Sequence, residues 1–432
     1  MRWVILSIGF IIFNLGQLIS QNATYITDKL YVLPDVIIDN IKSNGNESVT
    51  YDLRVKQLVN HSNPGEGHFY QRVFLNHVGI DKPTVIVTEG YSCNAYRPAE
   101  VSKLLDANQI SVEHRYFGES LPSLKNYDYL NLKQATTDLH HITTLFKTIY
   151  PQKWISTGIS KGGATTIFYR YFYPDDVDVS IPYVAPINKE FEDKRIYQFL
   201  DTVGSDECRE KIYDYQVRML ESTDKVLPLL SFYAIGANLT YNYLTIGEAY
   251  EMAVLEYPFS FFQWGSDCDD IPGINSSIEE MVKYLLEVSG IDFFSDKMMI
   301  KYASHYYQSA EEMGYYGYDI NNFSNYLTYL PTDTNPHAAF VPDKMEVSFN
   351  GELLNDIHEW INRSGNQFIY IYGAKDTWSA SAISPSEHTD ALIFMMEGEN
   401  HASARIRNLS LNDKKLLVTN LERWLDIEII YD

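Results

Sequence analysis

Cysteine is scarce: Cys93, Cys208 and Cys268 are the only three in 432 residues. Three thiols cannot form a disulfide framework and have no zinc-site spacing, which excludes a cysteine-stapled scaffold and a zinc finger. In an oxidising compartment Cys208 and Cys268 could pair and leave Cys93 alone. Basic charge is also short, with 34 Lys and Arg against 57 Asp and Glu and a formal net charge of −23. A nucleic-acid binder needs a basic footprint, and none is present. There is no H-E-x-x-H ligand pair, no P-loop and no strand-borne G-x-G-x-x-G, so metallopeptidase and nucleotide chemistry are not indicated. No cofactor and no metal are expected. No period repeats along the chain, which argues against a solenoid.

Long apolar runs are nearly absent as well. The one exception is Val4–Leu18, after Arg2 and before Ser20 and Gln21. It falls short of the about 20 residues of a spanning helix and sits where a secretory signal belongs. Residues 1–20 therefore read as a signal peptide cleaved near Ser20, with an uncleaved anchor as the alternative. The mature chain is expected to be secreted or periplasmic, with no stable membrane insertion. Its composition, 45% hydrophobic and 21% charged, is globular.

Two flanks alternate between strand and helix patterns. Pro83–Thr88, Ile110–Tyr116, Trp154–Gly158 and Val177–Ala185 read as strands, with helices at Leu132–Tyr150 and Lys161–Tyr173. The rhythm resumes with strands at Phe368–Tyr372 and Ala391–Met396 and a closing helix at Leu409–Ile427. This alternation predicts an α/β fold: a mostly parallel sheet with helices on both faces. Between them, residues 186–342 are helical in period, as in Lys211–Leu220, Ile278–Val288 and Ser304–Met313, and dense in Tyr and Phe. The expected organisation is a core of residues 21–185 and 343–432, interrupted by a helical cap insertion at 186–342. An independent second domain is the alternative.

Gly158-Ile159-Ser160-Lys161-Gly162-Gly163 fits G-x-S-x-G. Alone the string is weak, but a strand enters it and a helix leaves it, as a nucleophile elbow requires. Ser160 is the candidate nucleophile. The Lys161 amide, at the start of a helix, is the natural first oxyanion donor. A serine needs a base and a carboxylate, which in this fold follow late strands in the order Asp, His. Asp376 follows the FIYIY strand and His401 follows the ALIFMM strand. His140, His141, His337 and His388 are less well placed. The Tyr91 amide, just after the PTVIVT strand and Glu89-Gly90, is the candidate second oxyanion donor; an ordinary strand-ending turn is the other reading.

The runs Thr88-Glu89-Gly90-Tyr91, Val112-Glu113-His114-Arg115-Tyr116-Phe117-Gly118-Glu119-Ser120 and Gly158–Gly163 resemble the secreted serine peptidase family of the streptomycete PS-10 tripeptidyl aminopeptidase type. That family is related to prolyl carboxypeptidase and dipeptidyl peptidase II. The resemblance implies an α/β-hydrolase with a helical cap, cleaving peptides near a terminus and often beside proline. It assigns Ser160, Asp376 and His401 as the triad. Glu113, His114 and Arg115 then read as internal scaffolding. Glu89 is a candidate anchor for a substrate ammonium, with a structural hydrogen-bonding role equally open. Two other functions share these features in part: an esterase or lipase on the same fold, and a non-catalytic surface protein that binds glycans or peptides.

Overall fold

The computed structural model describes residues 24–44, 48–122, 127–331, 340–341 and 345–431. The signal-peptide run and His337 lie outside them. The strands are β1 (Val36–Ser43), β2 (Val49–Leu58), β3 (His68–His77), β4 (Thr84–Thr88), β5 (Asn108–Val112), β6 (Trp154–Ile159), β7 (Val179–Tyr183), β8 (Phe368–Gly373) and β9 (Ala391–Met396). They form one sheet in the order β1-β2-β3-β5-β4-β6-β7-β8-β9. Strands β1, β2 and β3 pair antiparallel, as do β3 and β5. From β5 to β9 every pairing is parallel.

The central strands are short apolar runs because both faces are covered. Successive residues of β4 show this: Val85 joins one apolar cluster and Ile86 the other. On the first face α1 (Glu100–Leu104) brings Val101 against the strands. The second face is packed by α2 (Leu132–Lys147) through Leu139, Ile142, Leu145 and Phe146. Helix α3 (Lys161–Phe172) leaves directly from β6.

The connection from β7 to β8 carries α4 (Arg195–Leu200), α5 (Asp206–Glu221), α6 (Thr223–Gly236), α7 (Ile246–Trp264), α8 (Ile278–Val288) and α9 (Asp296–Gln308). Among the described residues, none of this segment joins the sheet. Its helices bury a separate cluster that includes Tyr215, Tyr250, Tyr257 and Phe261. Cys208 of α5 is disulfide-bonded to Cys268, and Cys93 is free and buried. Helix α10 (Glu352–Ser364) then packs Leu354, Ile357 and Ile361 beside α3. The closing helix α11 (Leu411–Leu425) covers the α1 face with Leu417, Leu421 and Leu425.

Two sequence expectations need correction. The strand expected to run from Ile110 to Tyr116 stops at Val112. Beyond it the chain turns around the Glu113 carboxylate, and Tyr116 takes a φ of 66°. The helix expected over Ser304–Met313 is α-helical only to Gln308 and then widens to a π turn at Ser309–Met313. The N-terminal strands β1 to β3 had not been anticipated.

Candidate active site

Ser160 sits between β6 and α3 with φ 58° and ψ −125°. A non-glycine residue pays about 1–3 kcal/mol to hold such a conformation. The turn is possible because its neighbours lack side chains. A Cβ on Gly158 would collide with Gly162, and one on Gly162 would collide with the Thr88 carbonyl. The Ser160 amide donates to the Tyr183 carbonyl at 2.9 Å, and its own carbonyl accepts the first bond of α3 from Ala164, also at 2.9 Å. The hydroxyl is thus lifted off the sheet at the end of a parallel strand, where open α/β sheets place their ligands.

Asp376 and His401 come from the loops after β8 and β9. His401 Nδ1 donates to Asp376 Oδ2 at 2.7 Å, and both residues are buried. Since an ionised carboxylate only accepts, this bond places the ring proton on Nδ1 and leaves Nε2 as the acceptor. Asp376 Oδ1 also accepts from the Trp378 amide at 3.1 Å, which fixes the carboxylate plane. Helix α7 braces both loops. The His401 amide donates to the Gln263 carbonyl at 3.0 Å, and Thr377 Oγ1 donates to the Phe259 carbonyl at 2.9 Å. Trp264 packs edge-on to the His401 ring, 5.6 Å between centroids.

Ser160 and His401 line one cavity of about 760 Å³. This lies within the size range of small-molecule pockets, about 300–1,000 Å³. Among the described residues Ser160 Oγ makes no direct hydrogen bond to His401. Such bonds are commonly long in unliganded sites and tighten when substrate binds. A second imidazole, His305, lines the same cavity. Burial and the nearby Lys161 push it down to about 3, and its Nδ1 meets only Ser309 Oγ at 3.4 Å. Without a carboxylate to support an imidazolium, it is the poorer base.

Tyr91 and Lys161 also border the cavity. Among the described residues neither amide donates to a protein acceptor. The carbonyls around Tyr91 are pinned: Lys161 Nζ donates to Gly90 O at 2.9 Å, and the His114 amide donates to Tyr91 O at 3.2 Å. Lys161 is buried over the Tyr91 and Phe117 rings, 5.6 and 5.2 Å from their centroids. Burial pulls its ammonium down to about 7, against the opposing pull of Glu312.

Glu89 does not line this cavity. It lies half-buried with Oε1 3.8 Å from Cys93 Sγ, and burial pushes its carboxyl up to about 7 against the pull of Arg97. Burial also drives the Cys93 thiol up to about 12, which leaves it no thiolate to compete as a nucleophile. Within the Glu113–Ser120 run, residues 113–117 and Ser120 are buried scaffold, while Gly118 and Glu119 are exposed. Glu113 accepts from the Cys93, Glu119 and Ser120 amides at 2.8, 2.7 and 3.0 Å. Arg115 forks onto Asp138 with two bonds of 2.7 Å and donates to the Leu58, Val59 and Tyr129 carbonyls.

Sequence reasoning missed the α7 side of the cavity, where Glu256, Phe259 and Trp264 face in. No short motif marks them.

The family model for PS-10 peptidase S37 matches residues 20–428. The chain belongs to this peptidase family. It is 30% identical over 384 residues to the prolyl tri/tetrapeptidyl aminopeptidase of Streptomyces mobaraensis, covering 87% of this chain and 80% of that one. It is 24% identical over 387 residues to human lysosomal Pro-X carboxypeptidase, covering 76% of each. The protein is a serine peptidase of α/β-hydrolase fold, as the resemblance implied.

Proposed function

We propose that this peptidase is a secreted aminopeptidase that releases short peptides through an acyl-enzyme, using Ser160, His401 and Asp376. The observation that carries the reading is the buried 2.7 Å His401–Asp376 bond in the wall of the cavity that Ser160 borders. His401 Nε2 takes the Ser160 proton as Oγ attacks the scissile carbonyl, and Asp376 stabilises the imidazolium. The Lys161 and Tyr91 amides receive the oxyanion. His401 then protonates the departing amine, and water, deprotonated by the same imidazole, hydrolyses the acyl-enzyme.

The helices of residues 186–342 act as a cap that admits chain ends and excludes water. Cleavage at the amino end is favoured by the likeness to the Streptomyces mobaraensis aminopeptidase. Secretion is supported by the Val4–Leu18 run and by the Cys208–Cys268 bond, since disulfides persist in oxidising compartments. Among the described residues no helix is long and apolar enough to cross a membrane.

The test is mass spectrometry of the products from a small peptide library with free and blocked amino termini. Release of two- to four-residue fragments from free amino termini is expected. Turnover of a p-nitrophenyl ester with no peptide cleaved would instead make the protein an esterase.

A further inference from the structure

Seven carboxylates are buried among the described residues, and six of them have partners that explain their burial. Asp138, Asp193 and Asp376 each face a basic side chain: Arg115, Arg195 and His401. Glu113, Glu251 and Asp296 each collect main-chain amides. Glu256 has neither. It stands on α7, only 4% exposed, and borders the cavity that holds Ser160. Its partners are three hydroxyls: Ser260 on Oε1 at 2.8 Å, and Tyr316 and Tyr318 on Oε2 at 2.9 and 3.0 Å. A carboxylate offers about four acceptor positions, so these donors fix its direction and leave Oε1 with capacity for another.

Burying an anion without a cation is costly, and the cost is met when a ligand supplies the missing charge. Burial pushes the Glu256 carboxyl up to about 7 while the three hydroxyls pull it down. A cation in the cavity would hold it ionised. The wall beside it suits a cation as well. Phe259 and Tyr316 stack at 3.9 Å, Tyr315 and Tyr316 at 4.5 Å, and Trp378 meets Phe259 and Tyr316 edge-on. Aromatic faces attract ammonium groups.

We propose that Glu256 is the anchor for the protonated α-amine of the substrate, with the aromatic wall seating the first residues of the peptide. The inference rests on the reading that Ser160 is acylated by the same peptide. A chain whose amine is held at Glu256 presents its downstream carbonyl to Ser160, so the distance between the two residues sets how many residues are released. Glu89, the other carboxylate considered for this role, lies outside the cavity wall.

The experiment compares Ala-Ala-Pro p-nitroanilide with its N-acetyl counterpart for wild type, Glu256→Gln and Glu256→Asp, with competent enzyme counted by fluorophosphonate titration. Wild type is expected to prefer the free amine by about 100-fold in kcat/KM, the scale of a charged hydrogen bond. Glu256→Gln should lose that preference, and Glu256→Asp should retain part of it. A Glu256→Gln enzyme that keeps the wild-type ratio overturns the assignment. So does a wild type that cleaves free and blocked substrates equally, and in that case the serine peptidase reading survives. A wild type that neither titrates nor cleaves either substrate removes that reading and the anchor with it. If neither variant folds, product inhibition of the wild type decides. Ala-Ala-Pro should inhibit at about 100-fold lower concentration than N-acetyl-Ala-Ala-Pro. Equal inhibition by the two overturns the proposal.

Discussion

Lys161 and Glu256 in the cavity wall have protonation equilibria displaced toward their neutral forms. Burial pulls Lys161 from 10.5 to about 7 and pushes Glu256 from 4.5 to about 7. The consequences for stability have opposite slopes. For Glu256 the folded value lies above the unfolded one, so the folded state binds more protons across that interval and loses stability as pH rises through it. Above the interval the full cost persists, up to about 3 kcal/mol at 1.36 kcal/mol per unit. For Lys161 the unfolded chain binds more protons, and stability is regained as pH rises from about 7 toward 10.5. Glu256→Gln removes only the first dependence. Thermal unfolding should therefore show the variant gaining more stability over wild type at pH 8 than at pH 5. An equal gain at both values, or a loss at pH 8, would contradict the burial argument. Stability gained at the expense of function is the usual signature of a working site.

At the scale of elements, α7 does several jobs at once. One turn presents Glu256 to the cavity, the next holds Thr377 through the Phe259 carbonyl, and the last holds His401 through Gln263. Pro258 lies inside this helix and cannot donate to the Val254 carbonyl; Gln216 Nε2 donates there instead, at 2.8 Å. On the sheet side, Arg115 ties the end of β2 to α2 through Asp138, with both side chains fully buried. Arg115→Met leaves that carboxylate only His61 Nε2, at 2.7 Å, as a side-chain partner among the described residues and should cost about 3 kcal/mol, whereas cutting the exposed Arg423–Asp390 pair should cost no more than about 1 kcal/mol. Urea unfolding of the two variants checks the contrast, and comparable losses would refute it.

The same elements explain what the sequence revealed. Strands β4, β6 and β8 were legible because burial on both faces leaves short apolar runs ending in glycine or polar loops; β9, at the sheet edge with Ile393 and Met395 exposed, was legible from its apolar composition alone. Strand β2 carries a different signal, alternation, with Tyr51, Leu53 and Val55 buried between Asp52, Arg54 and Lys56, and a reading keyed to unbroken apolar runs passes over it. The early stop of β5 depends on Glu113 recruiting amides six, seven and 20 residues away, which no local pattern encodes. Ser160, Asp376 and His401 could be named because each follows a legible strand. Glu256 could not, because α7 is buried along most of its length and its one functional carboxylate carries no motif.

On the scale of the whole molecule, parallel strands with a common direction bring distant stretches of chain to one edge of the sheet. Ser160, Asp376 and His401 all follow the carboxyl ends of such strands, and residues of the helical connection between β7 and β8 line the cavity that Ser160 and His401 share. The Cys208–Cys268 bond constrains that connection, closing a separation of 60 residues. In the chain-entropy account such a closure contributes about 4 kcal/mol. The account as a whole turns on Ser160 being activated by the His401–Asp376 pair. Peptide mapping after treatment with a fluorophosphonate tests this directly. A single adduct on Ser160 is predicted, lost in Ser160→Ala and strongly slowed in His401→Ala; an adduct on another residue, or labelling of Ser160 undiminished by His401→Ala, would contradict it.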